Sequence, residues 1–133
     1  MSYAAERAAI ETRFSTLWAG TPIGDVVFDN LPYTPVQGTP YVRLSIKPGT
    51  SERITIGTRE HRVVGLILVQ IFVPTGSGTN AARVLADEAA EIFRDQEFDG
   101  VLCRSPSIQN VGQSGDWAQF NVSVPYKRDE VFA

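Results

Sequence analysis

The sequence has a single cysteine, Cys103, and a single histidine, His61. One cysteine excludes an intramolecular disulfide and a cysteine-based zinc site, and it fits a reducing compartment. Nucleophilic catalysis needs a nucleophile held against a base. Cys103 sits among apolar neighbours on an expected strand, where a lone cysteine behaves as a small buried hydrophobe. His61 lies in the polar stretch "TREHR", and nothing around either residue resembles a catalytic signature. Asp and Glu together number 15, but they fall on helix faces and in turns. There is no D-x-D or H-E-x-x-H arrangement, so metal-assisted hydrolysis has no candidate centre. No catalytic residue, metal site or cofactor is expected.

Lysine is missing between Lys47 and Lys127, which decides how one suggestive stretch reads. "VPTGSGTNAARVLADEAAEIF" (residues 73–93) runs from an apolar strand through a Gly-rich loop into a helix, the layout that cradles phosphate. A P-loop requires a lysine and a hydroxyl after its last glycine, and neither is in place. A dinucleotide fingerprint requires a following strand with a suitably placed acid, which is also lacking. The loop therefore reads as a corner, with Gly76 and Gly78 reversing the chain and Thr79 or Asn80 capping the helix.

Long apolar runs are absent too. "VVGLILVQIFVP" is too short for a membrane-spanning helix, which takes about 20 residues. The start, "MSYAAERAAIE", has an early acid and no apolar core, unlike a signal peptide. A soluble intracellular protein is expected. A net charge of −3 gives no general attraction to nucleic acid or to anionic membranes.

What is present fits one domain. The 133 residues are 43% apolar and 20% charged, ordinary values for a globular protein. A chain of this length buries roughly two-thirds of its unfolded surface. From about Tyr3 to Ala19, Ile10, Phe14, Leu17 and Trp18 form one helical stripe, opposite a wet face of Glu6, Arg7, Glu11 and Arg13. Ser2 caps this helix, and Gly20 with Pro22 ends it. A second helix, from about Thr79 to Arg94, turns Leu85, Ala89, Ile92 and Phe93 inward.

Strands are expected at Asp25–Asn30, at "YVRLSI" (41–46), at "RITI" (53–56) after a turn at "KPGTSE", and at "VVGLILVQIFV" (63–73). The stretch "LPYTPVQGTP" is an extended loop, and "GTREHR" a loop or exposed strand end. Val63–Val73 is apolar on both alternating faces, so both must be covered, and a partner subunit is a candidate for the second. After a turn at Asp99-Gly100, a strand reaches Ser105. Pro106 interrupts it, and "SIQNV", the turn "GQSGD" and "WAQFNVSVPY" make a hairpin. In its last strand Ala118, Phe120, Val122 and Val124 face one way, with Trp117, Gln119, Asn121 and Ser123 facing the other. The expected fold is α+β: one domain, 1–133, of mostly antiparallel sheet with two helices packed on one face.

One charged segment, Glu52 to Arg62, is poor in core-forming residues. Arg53, Arg59, His61 and Arg62 make it a candidate contact surface for a complementary protein surface, such as a neighbouring subunit. A merely solvated face is the plain alternative.

The N-terminal helix ending near "LW", then "LPYTP", "YVRLSI", "VQIFVP", "TGSGTNAARVLADEAAEIF" and the closing "WAQFNVSVPYKRD", together resemble the tail-terminator-like proteins of long-tailed bacteriophages. The resemblance spans nearly the whole chain and rests on packing and turn signals. It implies an α+β sandwich and a structural role: a six-fold ring on the tail tube that stops polymerisation and joins the head. The implied partners are further copies of the chain, the tail-tube protein and a head-completion or connector protein. DNA would pass through the ring without sequence-specific binding, and no membrane is involved. The implied location is the tail or neck of the virion, and the host cytoplasm during assembly. Another phage neck, connector or tail-completion protein of similar fold, or a small ligand-binding domain, remains an alternative.

Overall fold

The computed structural model describes residues 2–20, 25–29, 31–76 and 80–132. Helix α1 (Tyr3–Leu17) starts where the Ser2 hydroxyl accepts from the Ala5 amide at 3.1 Å, the cap expected there. The stop expected from Pro22, and the corner at Gly78 and Thr79, lie outside the described residues. Helix α2 (Asn80–Phe93) buries Leu85, Ala89, Ile92 and Phe93 as expected, with Ala82, Ala86 and Ala90 beside them.

Seven strands make one sheet among the described residues: β1 (Val26–Phe28), β2 (Tyr41–Arg53), β3 (Arg59–Pro74), β4 (Glu97–Phe98), β5 (Val101–Cys103), β6 (Ser107–Ser114) and β7 (Trp117–Phe132). Their order is β1-β2-β3-β7-β5-β4, and β6 also pairs with β7. Strand β7 meets β3 along its full length, from Pro74↔Trp117 to Arg59↔Phe132. Its other edge is shared, by β6 along Trp117–Ser123 and by β5 at Tyr126–Lys127. Both helices join the inward side chains of β2, β3 and β7 in one buried cluster. It includes Ile10, Phe14, Leu44, Ile67, Ile71, Phe93, Phe120 and Val124. The α+β expectation holds with a correction, because β1 runs parallel to β2 and the sheet is mixed. A parallel neighbour needs a connection of about a dozen residues or more, and the proline-rich stretch after β1 supplies that length.

The other face of β3 is partly covered by the chain itself. Tyr41 stacks on Phe72, meets Trp117 edge-on and touches Tyr33 of the proline-rich loop, with centroids 4.6, 5.2 and 5.0 Å away. Further along that face Leu66 and Leu68 are half-buried and Val64 is exposed.

Three local expectations are corrected. "KPGTSE" is strand, not turn: β2 continues to Arg53 through a bulge between Pro48 and Ser51. Among the described residues no strand pairs with the outer edge of β2 past Leu44, so the missing amide of Pro48 disturbs no described ladder on that side. The reversal is instead residues 54–58, which take in "ITI", and β3 opens with "REHR" (59–62). The last hairpin turns at Gly115 and Asp116 alone, because Ser114 still pairs with Trp117. The preceding "GQS" is strand with its own bulge, where Gly112 has a φ of 105° and donates to Asn110 Oδ1 at 3.0 Å.

Two side chains assigned to the wet face of α1 lie inside. Glu6 is buried, since it precedes Ile10 by four residues and so falls on the same stripe. Arg13 is half-buried: its Nε donates to the Ile92 carbonyl at 2.8 Å and its guanidinium lies 4.8 Å from the centre of the Phe98 ring. Leu17, by contrast, is 50% exposed.

Candidate functional site

Beyond Val63 the sheet narrows to three strands, Ser51–Arg53, Arg59–Val63 and Arg128–Phe132. The buried stripe of α1 begins at Glu6, which meets Arg128 at the root of this ribbon. The ribbon holds all four candidate contact residues. The register separates them by face, because directly paired residues share a face and neighbours along a strand alternate. Arg53 pairs with His61 and His61 with Glu130, which places Arg53, Arg59 and His61 on the helix side. Arg62 pairs with Glu52 and Asp129 on the opposite side. So one face carries the cations and the other is mixed. Sequence proximity grouped all four, but period-two alternation divides them.

The tip of the ribbon is stiffened from within. The Thr58 carbonyl accepts from Arg53 Nε and Nη2 at 3.2 and 3.0 Å and from Thr55 Oγ1 at 2.9 Å. Thr58 Oγ1 donates to Thr55 Oγ1 at 2.7 Å, and the Ile54 amide donates to the Glu60 carbonyl at 3.0 Å. These bonds hold Ile56 in full solvent, at 104% relative exposure. On the mixed face Arg62 and Asp129 pair at 2.9 Å. The Arg62 hydrogen bond holds the Asp129 carboxyl below its ordinary range. Both side chains are well exposed, so the pair contributes little to stability.

At the root of the ribbon is a buried ionic cluster that sequence reading missed. Arg128 Nε donates to Glu6 Oε1 at 2.7 Å, and Arg128 Nη1 donates to Glu130 Oε1. All three residues are buried. The guanidinium also lies 4.6 Å from the centre of the Tyr3 ring. The signal available was the alternation Phe120, Val122, Val124, Tyr126, which continues inward to Arg128 and Glu130. The cluster ties the first turn of α1 to β7 where the ribbon leaves the core.

Beside it, a groove of about 280 Å³ between α1 and β2 is lined by Tyr3, Glu6, Arg7, Glu11, Asp29, Leu44, Ile46 and Pro48. Its carboxylates are engaged: Glu6 with Arg128, Glu11 with Arg7 at 2.9 Å, and Asp29 with the Ile46 amide at 3.2 Å. Among the described residues no cluster of three or more His, Cys, Asp or Glu is placed to hold a metal ion. No described helix is long and apolar enough to cross a membrane.

Cys103 is buried, as its apolar neighbours imply, and burial pushes its thiol from 9.0 up to about 12. A folded-state pKa above the unfolded one stabilises fully below the unfolded value and is lost as pH rises towards the folded value. Burial raises the Tyr126 phenol as well, helped by the charge of Glu6. The melting temperature is therefore expected to fall as pH rises from 9 towards 12, and Cys103→Ala should flatten the early part of that fall. A thiol reagent should label Cys103 only as fast as the protein unfolds. Labelling of the folded protein at the rate of a free thiol would contradict this placement.

The arrangement has the character of a scaffold that presents a stiff arm. A family model described as phage tail terminator protein matches residues 6–126, and the chain belongs to that family. It is thus a structural protein of the phage tail, and its place is the virion. A solved chain aligns over 100% of this sequence and 97% of its own, with a TM-score of 0.66 and 22% identity. At that identity the likeness speaks for the fold alone. No curated protein matches the sequence.

Proposed function

We propose that the whole chain, 1–133, acts as one tail-terminator domain whose copies close into a ring, a hexamer, on the end of the tail tube. There it halts tube growth and offers the surface to which a head-completion or connector protein joins. DNA passes through without sequence-specific contact. Assembly takes place in the host cytoplasm and ends in the virion neck. The observation that carries this reading, beside family membership, is the stiffened ribbon. It holds Ile56, Ile54 and Val131 in solvent, at 104%, 40% and 69% exposure. An arm with exposed aliphatic side chains and charged flanks suits contact with another chain. A head-to-tail contact closes into a ring when its rotation divides a full turn.

In this reading Arg53, Arg59, His61 and Arg62 belong to the contact surface, where charges set register and specificity more than affinity. Arg59→Glu with Arg62→Glu should leave the circular dichroism of the dilute monomer unchanged while reducing ring formation and tail completion. Native mass spectrometry over a concentration series, with micrographs of the same sample, reads the ring directly. A protein that stays monomeric when concentrated and is missing from finished tails would refute the assignment. Normal infectious particles from the double variant would return the segment to solvent.

A further inference from the structure

A ribbon that grips a neighbour needs a receiving surface away from its own root. The described surface offers one, an open groove of about 460 Å³ between the end of α1 and the middle of α2. Its apolar floor is Leu17, Ala19 and Ile92, and its rim is Asp87, Glu88 and Glu91. Glu91 is engaged by Arg94 at 2.8 Å, so the rest of the rim charge is that of Asp87 and Glu88. Among the described residues no basic side chain lines the groove. The half-exposed Leu17, which the helical stripe assigns to the core, belongs to this floor.

We propose that the Ile56 tip of one copy seats in this groove on the next copy. This rests on the ring reading and names its contact. The chemistry is complementary: exposed aliphatic side chains meet an apolar floor, and Arg53 and Arg59 meet an acidic rim. The two glutamates near the tip, Glu52 and Glu60, lie on the opposite face by register. Glu130, the other described glutamate of the ribbon, is bridged to Arg128. The bonds on the Thr58 carbonyl fix the tip before contact, which reduces the ordering cost of binding.

A copy cannot fill its own groove. Glu6 at the start of α1 is bound to Arg128 at the ribbon root. Leu17 lies about 16 Å further along the helix at 1.5 Å per residue. Trp18, the residue after it, and Leu85 of α2 lie together against Gly20, towards the Pro74 end of β3 from which α2 departs. The tip extends the other way, about 13 Å from Val63 to Arg59 at 3.3 Å per residue. Knob and groove thus sit at opposite ends, as a head-to-tail contact requires.

The test uses the full chain carrying both Ile56→Cys and Leu17→Cys. Both sites are exposed, so the fold should tolerate them, and the buried Cys103 thiol stays silent. Oxidation should give a disulfide ladder that ends at the ring size, and either single cysteine variant should give none. Ile56→Asp should raise the concentration needed for assembly by about tenfold or more. Asp87→Lys with Glu88→Lys should also weaken assembly, and adding Arg59→Glu, which leaves the Arg53 bonds of the tip in place, should recover part of the loss. Rings that form without the ladder, at a concentration unmoved by Ile56→Asp, would overturn the seating while leaving the ring intact. A wild-type chain that forms no ring at all, in solution or in tails, removes the ring reading and the seating with it.

Discussion

Arg128→Ala is expected to destabilise the fold by about 3–5 kcal/mol, the usual cost of stranding buried charge. Arg128 is 2% exposed and bridges Glu6 and Glu130, which are 1% and 7% exposed. Burial alone would lower the Arg128 pKa, yet the hydrogen bonds and charges of the two glutamates hold it above its ordinary value. Its removal leaves two carboxylates facing each other in a dry site. Urea unfolding followed by circular dichroism gives the number. A loss under about 1 kcal/mol would mean that water reaches the cluster and screens it.

The same reasoning separates stability from specificity. Replacing the cluster together, as Glu6→Leu, Arg128→Met and Glu130→Leu, should recover most of the stability lost in the single variant, because well-packed apolar groups often match a buried ionic set. What the ionic set adds is position: it joins the first turn of α1 to β7 at the level where the ribbon leaves the core. Hydrogen exchange over residues 59–63 and 128–132 should therefore be faster in Arg128→Ala than at the centre of the sheet.

Much of the fold is legible because local pattern and burial agree. Phe120, Val122 and Val124 alternate as an inward face should, Ser2 caps α1, and Leu85, Ala89, Ile92 and Phe93 mark the buried side of α2. The failures come where residue type and position conflict. Glu6 and Arg128 stand on inward positions of their elements, but a charged residue defaults to solvent unless a partner is known. Their partners lie 122 residues apart in the chain, beyond any local window. Pro48-Gly49 looks like a turn, and whether it is turn or bulge depends on whether a neighbour strand needs the missing amide. The parallel β1 likewise depends on a crossover, which composition does not orient. That Arg53, Arg59, His61 and Arg62 lie close together on one ribbon was legible. Their division between two faces was not, because it follows from a register set across three strands.

Gly65→Val should be the most damaging change in the sheet that adds no charge, at about 3 kcal/mol or more, the upper end of overpacking costs. Gly65 pairs with Tyr126. A Cβ there would stand 2.5 Å from Tyr126 Oη, 2.6 Å from its Cζ and 2.8 Å from the Lys47 carbonyl oxygen. The Tyr126 ring thus lies across the gap in β3 that the absent side chain leaves, an aromatic covering a glycine on the neighbouring strand. A valine would push the ring towards Glu6 and Arg128 and would press on the backbone of β2 as well. The phenol itself is a minor part of this packing. Tyr126 Oη is buried beside the Glu6 carboxylate but makes no hydrogen bond of normal geometry, so Tyr126→Phe should change stability by about 1 kcal/mol or less. Tyr126→Leu, which removes the ring, should cost more alone but relieve part of the strain when combined with Gly65→Ala. Denaturant midpoints of the two single variants and the double variant form a cycle, and a coupling above about 1 kcal/mol is expected. Simple additivity would mean that the Lys47 carbonyl, and not the ring, is what excludes a side chain at position 65. Recovery would then require movement of the β2–β3 ladder at the point where the ribbon begins.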